Sequence, residues 1–399
     1  MYYEPMWKYA ADHGIELTRT NDLTPTSGNG VICDADYLTP EKIRWFRENS
    51  CDLFAFSCID SAFLSETIRY TPEMLLINRI FSISGIPNTN TSNATGIDSN
   101  FQFTAQPRQF LPQPSWENFN FMRERGALQS LPFPIWNRLQ IPERKKFEDK
   151  RPTVLFRGGG HFLRVLAYFR ALRGGFADSA SGFTLGPYFN DKMNLQFRYC
   201  DECRRVYKQN GYRYPLGVPG GREGCNSAAD WGGELDFTNP GAWNNECPKS
   251  FYWLAEQYAK QHGDVDMNHL CNVLNFKAED EEGHRATVRD CRFFSDCKWE
   301  FSIYAAQRFW EAASVGTVNL LPRRANDQDY FPVMKDGEHY VTYADDFSDM
   351  TADIEKEKFD YIAENAYQLW KKWIEPTDYF ISTNLLRHIF NTILTPRNI

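Results

Sequence analysis

Short apolar runs alternating with segments of helical periodicity set the rhythm of the first part of the chain. "GVICDA" and "DLFAFSCI" are continuous apolar runs of strand length, the pattern of strands buried on both faces. Between them, "TPEKIRWFRENS" predicts a helix, with Thr39 as its N-cap and Pro40 in its first turn. "MLLINRIFSISGI" and the polar loop "PNTNTSNATGIDSN" follow. Strand, helix and strand in alternation predict an α/β domain with a parallel sheet over residues 1–105. Such domains ordinarily open on a strand, whereas this chain opens on an amphipathic helix, "MYYEPMWKYAADHG".

Residues 106–150 break the rhythm. Pro107, Pro112, Pro114, Pro132, Pro134 and Pro142 punctuate them, and "ERKKFEDKR" closes them, which predicts a connection between domains. A second α/β unit is expected over 151–375. It opens on the strand "PTVLFRGGG" and the helix "HFLRVLAYFRALRGG". The section 176–250, rich in Gly, Asn and aromatic residues and weakly periodic, predicts an irregular insertion. Regularity returns with the helix "SFYWLAEQYAKQHG", the strand "RDCRFFSD", the helix within "FSIYAAQRFWEAASVG" and the strand "TVNLLP". Residues 376–399 read as a helical tail.

A chain of 399 residues is long enough for two domains with full cores. The net charge of −8 without a basic tail argues against a general nucleic-acid binder, which gains its affinity by neutralising phosphates. No apolar run approaches the roughly 20 residues that span a bilayer. The first helix lacks the basic and apolar regions of a signal peptide, so a cytoplasmic protein is expected. Its 10 cysteines then read as thiols or metal ligands rather than a disulfide framework.

Two stretches carry candidate chemistry. In "LFRGGGHFL", Gly158, Gly159 and Gly160 lead from a strand toward a helix. Glycines there let backbone approach a ligand, and free N–H groups at the helix start form an anion site. Arg157 adds a charge-assisted phosphate contact, and His161 is a further candidate contact. The competing reading is a plain glycine turn. In "FSIYAAQRFWEAASVGTVNLLP", Ser302 and Tyr304 lie near a helix N-terminus expected at the carboxyl end of the sheet, where open α/β folds place ligands. Arg308 and Glu311, spaced i, i+3, share a face. Arg308 is expected to face a diphosphate and Glu311 to accept from ribose hydroxyls. The competing reading is a plain intrahelical ion pair.

General-base candidates are Asp34, Asp36 and the preferred Asp60, which directly follows a buried strand; each also suits a cap or turn. Asp-x-Asp pairs at 34–36 and 264–266 match a short metal-binding pattern. "YCDEC" gives Cys200 and Cys203 the spacing of zinc ligands, with Cys225 and Cys247 available to complete a structural site. The first two equally fit the apolar face of a helix.

"RFWEAASVGTVNLLP" resembles the donor-site segment of two-domain glycosyltransferases of the GT-B type, the exostosin-like and phage-type members above all. "PVMKDGEHYVTYADDFSDM" resembles the pattern that follows in those enzymes, and "RPTVLFRGGG" the strand and loop that open their donor domain. The resemblance covers about 151–170 and 288–350. It implies two Rossmann-like domains facing a central cleft, with Glu311 as the ribose-binding acid. Arg308 and Arg157 become diphosphate contacts, Gly158 to Gly160 the close-approach loop, and the C-terminal tail returns to the first domain. The implied reaction moves a sugar from a UDP- or GDP-sugar to an acceptor hydroxyl on a glycan, with no cofactor required. A phage-type transferase acting on hydroxylated DNA is the alternative acceptor class, with Arg108, Arg123 and Arg125 as candidates for a basic groove. A non-catalytic glycan-binding or zinc-stabilised interaction protein is the alternative outside catalysis. Retaining members often carry two glutamates about two turns apart; Ile303 occupies the earlier position here, which leaves inversion or retention open.

Overall fold

The computed structural model describes residues 2–18, 30–57, 72–83, 86–87, 113–132, 141–159, 162–184, 281–295, 307–343, 349 and 356–395. These residues form an α/β protein with two parallel sheets, one of four strands and one of five.

The first sheet contains β1 (Gly30–Asp34), β2 (Asp52–Ser57), β3 (Arg79–Ser82) and β5 (Leu128–Ser130), side by side in that order and all parallel. Alternation divides the strands between two cores. Leu53, Ala55, Ile80 and Leu128 face helix α2 (Pro40–Glu48) and helix α3 (Gln113–Glu124), packing on Ile43, Phe46 and Met122. Thr39 caps α2 by accepting from the Lys42 amide, as its sequence predicts. Phe54, Phe56 and Phe81 face the other way. The strands progress in one direction, and right-handed crossovers then put both connecting helices on one face. The opposite face is covered by helices from the two ends of the described chain, α1 (Tyr3–Asp12) and α8 (Thr383–Leu394). Tyr2, Met6 and Tyr9 meet Leu385, Leu386, Ile389 and Phe390 over the three phenylalanines. The opening helix is therefore a lid on this sheet.

The segment 106–150, expected as a connection, contributes α3 and strand β5 to the first sheet. Among the described residues Pro114 lies in the first turn of α3 and Pro132 and Pro142 follow β5, so none interrupts the strand. Just after α3, Arg125 donates to the carbonyls of Leu75 and Ile77 at 2.9 and 2.8 Å.

The second sheet contains β6 (Arg151–Gly159), β7 (Gly182–Thr184), β8 (Cys291–Ser295), β9 (Val318–Pro322) and β11 (Val341–Tyr343), in the spatial order β7-β6-β8-β9-β11. All neighbours are parallel. The strand order reverses between β6 and β8, and the carboxyl ends at such a switch point are where doubly wound sheets hold ligands. Leu155 and Phe294 face α5 (Glu281–Arg289) and α6 (Gln307–Ser314), where Val288, Ala312 and Val315 complete a core. On the other face Phe156 meets Tyr168 of α4 (Phe162–Arg173), and Phe293 meets Phe359 of α7 (Lys356–Trp373).

Gly158 and Gly159, expected in a loop, are the last residues of β6, paired with Phe183 and Thr184 of β7. The strand outruns its apolar stretch because β7 supplies a neighbour there. Of the residues expected within the insertion, Ala177 bridges to Val154 and Gly182–Thr184 form β7, so both join the sheet; 185–250 lie outside the described residues. The two sheets are joined by a short antiparallel pair, β4 (Ile86–Pro87) with β10 (Gln328–Asp329). Nearby, Phe331 stacks on His388 of α8 with ring centroids 4.0 Å apart. Among the described residues no helix is long and apolar enough to cross a membrane.

Candidate functional site

Helices α5 and α6 lie on one face of the second sheet, and both change character along their length. Toward the amino edge of the strands their facing residues are apolar: Val288 on α5, Ala312 and Val315 by α6. Nearer the switch point, α5 presents His284 and Arg285, and α6 presents Arg308 and Glu311. Arg157 of β6 lies two residues beyond Leu155, so alternation along the strand gives it the same face. Five ionisable side chains from three elements therefore gather beside the carboxyl end of β6.

Glu311 is the hub. Its side chain is 1% exposed. Oε1 accepts from Gln307 Nε2 at 2.9 Å and lies 3.4 Å from Arg285 Nη2. Oε2 accepts from Arg308 Nη1 at 2.7 Å and lies 3.7 Å from His284 Nε2. Arg285 is fully buried, while 30% of the Arg308 side chain is exposed, making it the cluster's most accessible member. Arg157 is buried and donates through Nε to the Ala180 carbonyl at 3.0 Å. Among the described residues the cluster sets three guanidinium groups against a single carboxylate. Burial, and after it the fields of Arg308, Arg157 and Arg285, hold the His284 imidazole down to about 2, so it is neutral.

The far end of α6 is pinned. Lys150, buried, donates to the Val315 carbonyl at 2.8 Å and to Thr317 Oγ1 at 2.9 Å, placing a cation donor at the helix C-terminus. Burial, then Arg144 beside it, brings the Lys150 amine down to about 7. Asn319 Nδ2 donates to the Phe309 carbonyl at 3.1 Å. Gly316, at φ +67°, turns the chain into β9.

The structure thus brings together Arg157, Arg308 and Glu311, with Gly158 and Gly159 continuing β6 beside them. Both Glu311 carboxylate oxygens serve protein donors, Gln307 and Arg285 at Oε1 and Arg308 at Oε2. Gly160, His161, Ser302, Tyr304, Asp60, Cys200, Cys203, Cys225, Cys247, Arg108 and the 264–266 pair lie outside the described residues. Asp34 ends β1, distant in sequence and in sheet from this cluster. Among the described residues there is no group of three or more potential metal ligands.

His284 and Arg285 have no place in the sequence reading above. "EEGHRATVR" has a single large aliphatic residue and reads as a solvated helix. The available signal was indirect: an acid among the small residues of α6 needs cations from a neighbouring element. No protein-family model matches the chain, and no curated protein sequence is significantly similar to it.

Proposed function

We propose that this chain is a glycosyltransferase of the two-domain type, moving a sugar from a nucleoside-diphosphate donor to an acceptor hydroxyl on a glycan. The donor diphosphate lies at the carboxyl ends of β6 and β8. The observation that carries this reading is the arginine-rich cluster at the switch point of the second sheet, set beside the strand-end glycines Gly158 and Gly159. The return of α8 onto the first sheet supports a two-lobed arrangement, with the acceptor entering from the first lobe. As the bond from the sugar to the diphosphate breaks, negative charge grows on the leaving group. Guanidinium groups already fixed in place stabilise that charge without reorganising. On this reading Glu311 keeps Arg285 and Arg308 oriented, and Arg308 makes the most accessible contact.

A thermal-shift screen against UDP, GDP, ADP, CMP and their sugars tests the proposal. One nucleotide series is expected to stabilise the chain, by about 2.7 kcal/mol at a hundredfold excess over its Kd. The matching sugar nucleotide is expected to be hydrolysed slowly in water. Arg308→Ala is expected to weaken binding about tenfold or more, the worth of a charged hydrogen bond. Stabilisation by none of these ligands overturns the proposal.

A further inference from the structure

His284 sits inside the cluster, yet no described residue accounts for its outer nitrogen. Its side chain is 10% exposed. Nε2 is buried and has no hydrogen-bond partner among the described residues. The nearest charged oxygen, Glu311 Oε2, is 3.7 Å away, beyond hydrogen-bond range, and already accepts from Arg308. The ring packs edge-on against Phe294 with centroids 6.1 Å apart, which explains a planar ring at this position but not a basic nitrogen. A buried polar atom left unpaired costs about 1–3 kcal/mol. A ligand atom placed against it would relieve that cost.

Resting on the reading of this cluster as a phosphate site, we propose that His284 is a ligand-binding residue: its Nε2 hydrogen-bonds a phosphate oxygen of the bound diphosphate, and the imidazole takes up a proton from solvent as the anion enters. The groups facing it give the direction. Arg157 approaches from β6, Arg308 and Glu311 from α6 and Arg285 from its own helix, while the Phe294 ring packs on it from β8. Without a ligand, burial and the surrounding cations keep the ring neutral. A diphosphate brings two or more negative charges into the same space, reverses the local field and favours the imidazolium. No covalent bond changes; one proton moves from water to the ring. Binding therefore strengthens as pH falls, beyond whatever the ligand's own titration contributes.

Isothermal titration of the full chain with inorganic pyrophosphate, at pH 7 in two buffers of different ionisation enthalpy, reads the proton uptake directly. Wild type is expected to take up more protons per site than His284→Gln, by a fraction approaching one, and to bind about tenfold more tightly. The titration of pyrophosphate itself is common to both proteins and cancels. Equal uptake with binding retained overturns the proposal and leaves the phosphate site standing. Absence of pyrophosphate binding also overturns it, while the nucleotide screen decides the broader reading separately. Should the variant fail to fold, ¹⁵N-histidine spectra of the wild type give the same answer. A new imidazolium signal with pyrophosphate supports the assignment; unchanged resonances from all 7 histidines overturn it.

Discussion

Removing the Glu311 carboxylate would take away the buried acid that lies 3.4 Å from the fully buried Arg285. Breaking a buried ion pair from one side costs about 3–5 kcal/mol, so Glu311→Gln is expected to lower the unfolding free energy extrapolated from urea melts by that much even without ligand. Replacing Arg285 by Met in the same chain should return part of the loss, and a double-mutant cycle measures how much. Additive losses would mean that the two residues do not share a network. Asp178, buried at the other end of the second sheet, is a second hub. It accepts from Arg151 Nε at 2.8 Å and Nη2 at 3.2 Å, from Thr153 Oγ1 at 2.6 Å and from the Ala180 amide at 2.9 Å. Burial pushes its carboxyl up, but these donors together outweigh it and bring it from 3.8 down to about 2. A folded value below the unfolded one stabilises the protein above the unfolded value and loses that stabilisation as pH falls through the folded one. The stability gap between wild type and Asp178→Asn should therefore shrink by about 2 kcal/mol between pH 3.8 and about 2. Denaturant melts across that window check it; a gap independent of pH would contradict the ion-pair account.

Helix α6 ends at a turn that tolerates little change. Gly316 has φ +67°, and a Cβ built there would lie 2.3 Å from Arg144 Nε. Arg144 is itself held, paired with Glu364 and lying over the Tyr367 ring at 4.8 Å. Gly316→Ala is thus expected to cost about 1–3 kcal/mol, from left-handed strain and displacement of that side chain. Calorimetry measures the loss, and an unchanged melting temperature would show that Arg144 yields freely. Elements of this kind were the most legible in the sequence. β1, β2, β8 and β9 stand out as apolar runs, α2 announces itself through Thr39 and Pro40, and Gly316 marks the end of α6. β5 and α3 were hidden because prolines around them resemble a connection, and their role depends on pairing with β3. The cluster was half legible. Arg157, Arg308 and Glu311 carry local signals, whereas Arg285 lies twenty-six residues before Glu311 in the chain and joins it only through helix packing. Sequence spacing describes neighbours along one helix, and this site is made between two.

At the scale of the whole molecule, the first sheet depends on residues from both ends of the described chain. Its α1/α8 face has no crossover helix of its own among the described residues. Phe54, Phe56 and Phe81 are instead buried beneath Leu385, Leu386, Ile389 and Phe390 of α8, with Tyr9 of α1 stacked on Phe390 at 5.4 Å. Each large apolar side chain returned to water forfeits about 1.5–3 kcal/mol. Uncovering several at once approaches the 5–15 kcal/mol that holds an ordinary protein together. Among the described residues the second sheet packs on α4, α5, α6 and α7, and α8 enters neither of its cores. A chain ending at Glu375 is therefore expected to lose amide protection in β2 and β3 while β6, β8 and β9 stay protected in hydrogen exchange. On the proposed reading it should still be stabilised by the nucleotide found in the screen, because the arginine cluster needs nothing from α8. Loss of protection in both sheets together would instead show that β4–β10 pairing and the Phe331–His388 stack couple them into one cooperative unit. In that case, removing His388 along with α8 would unlock the second sheet as well as the first.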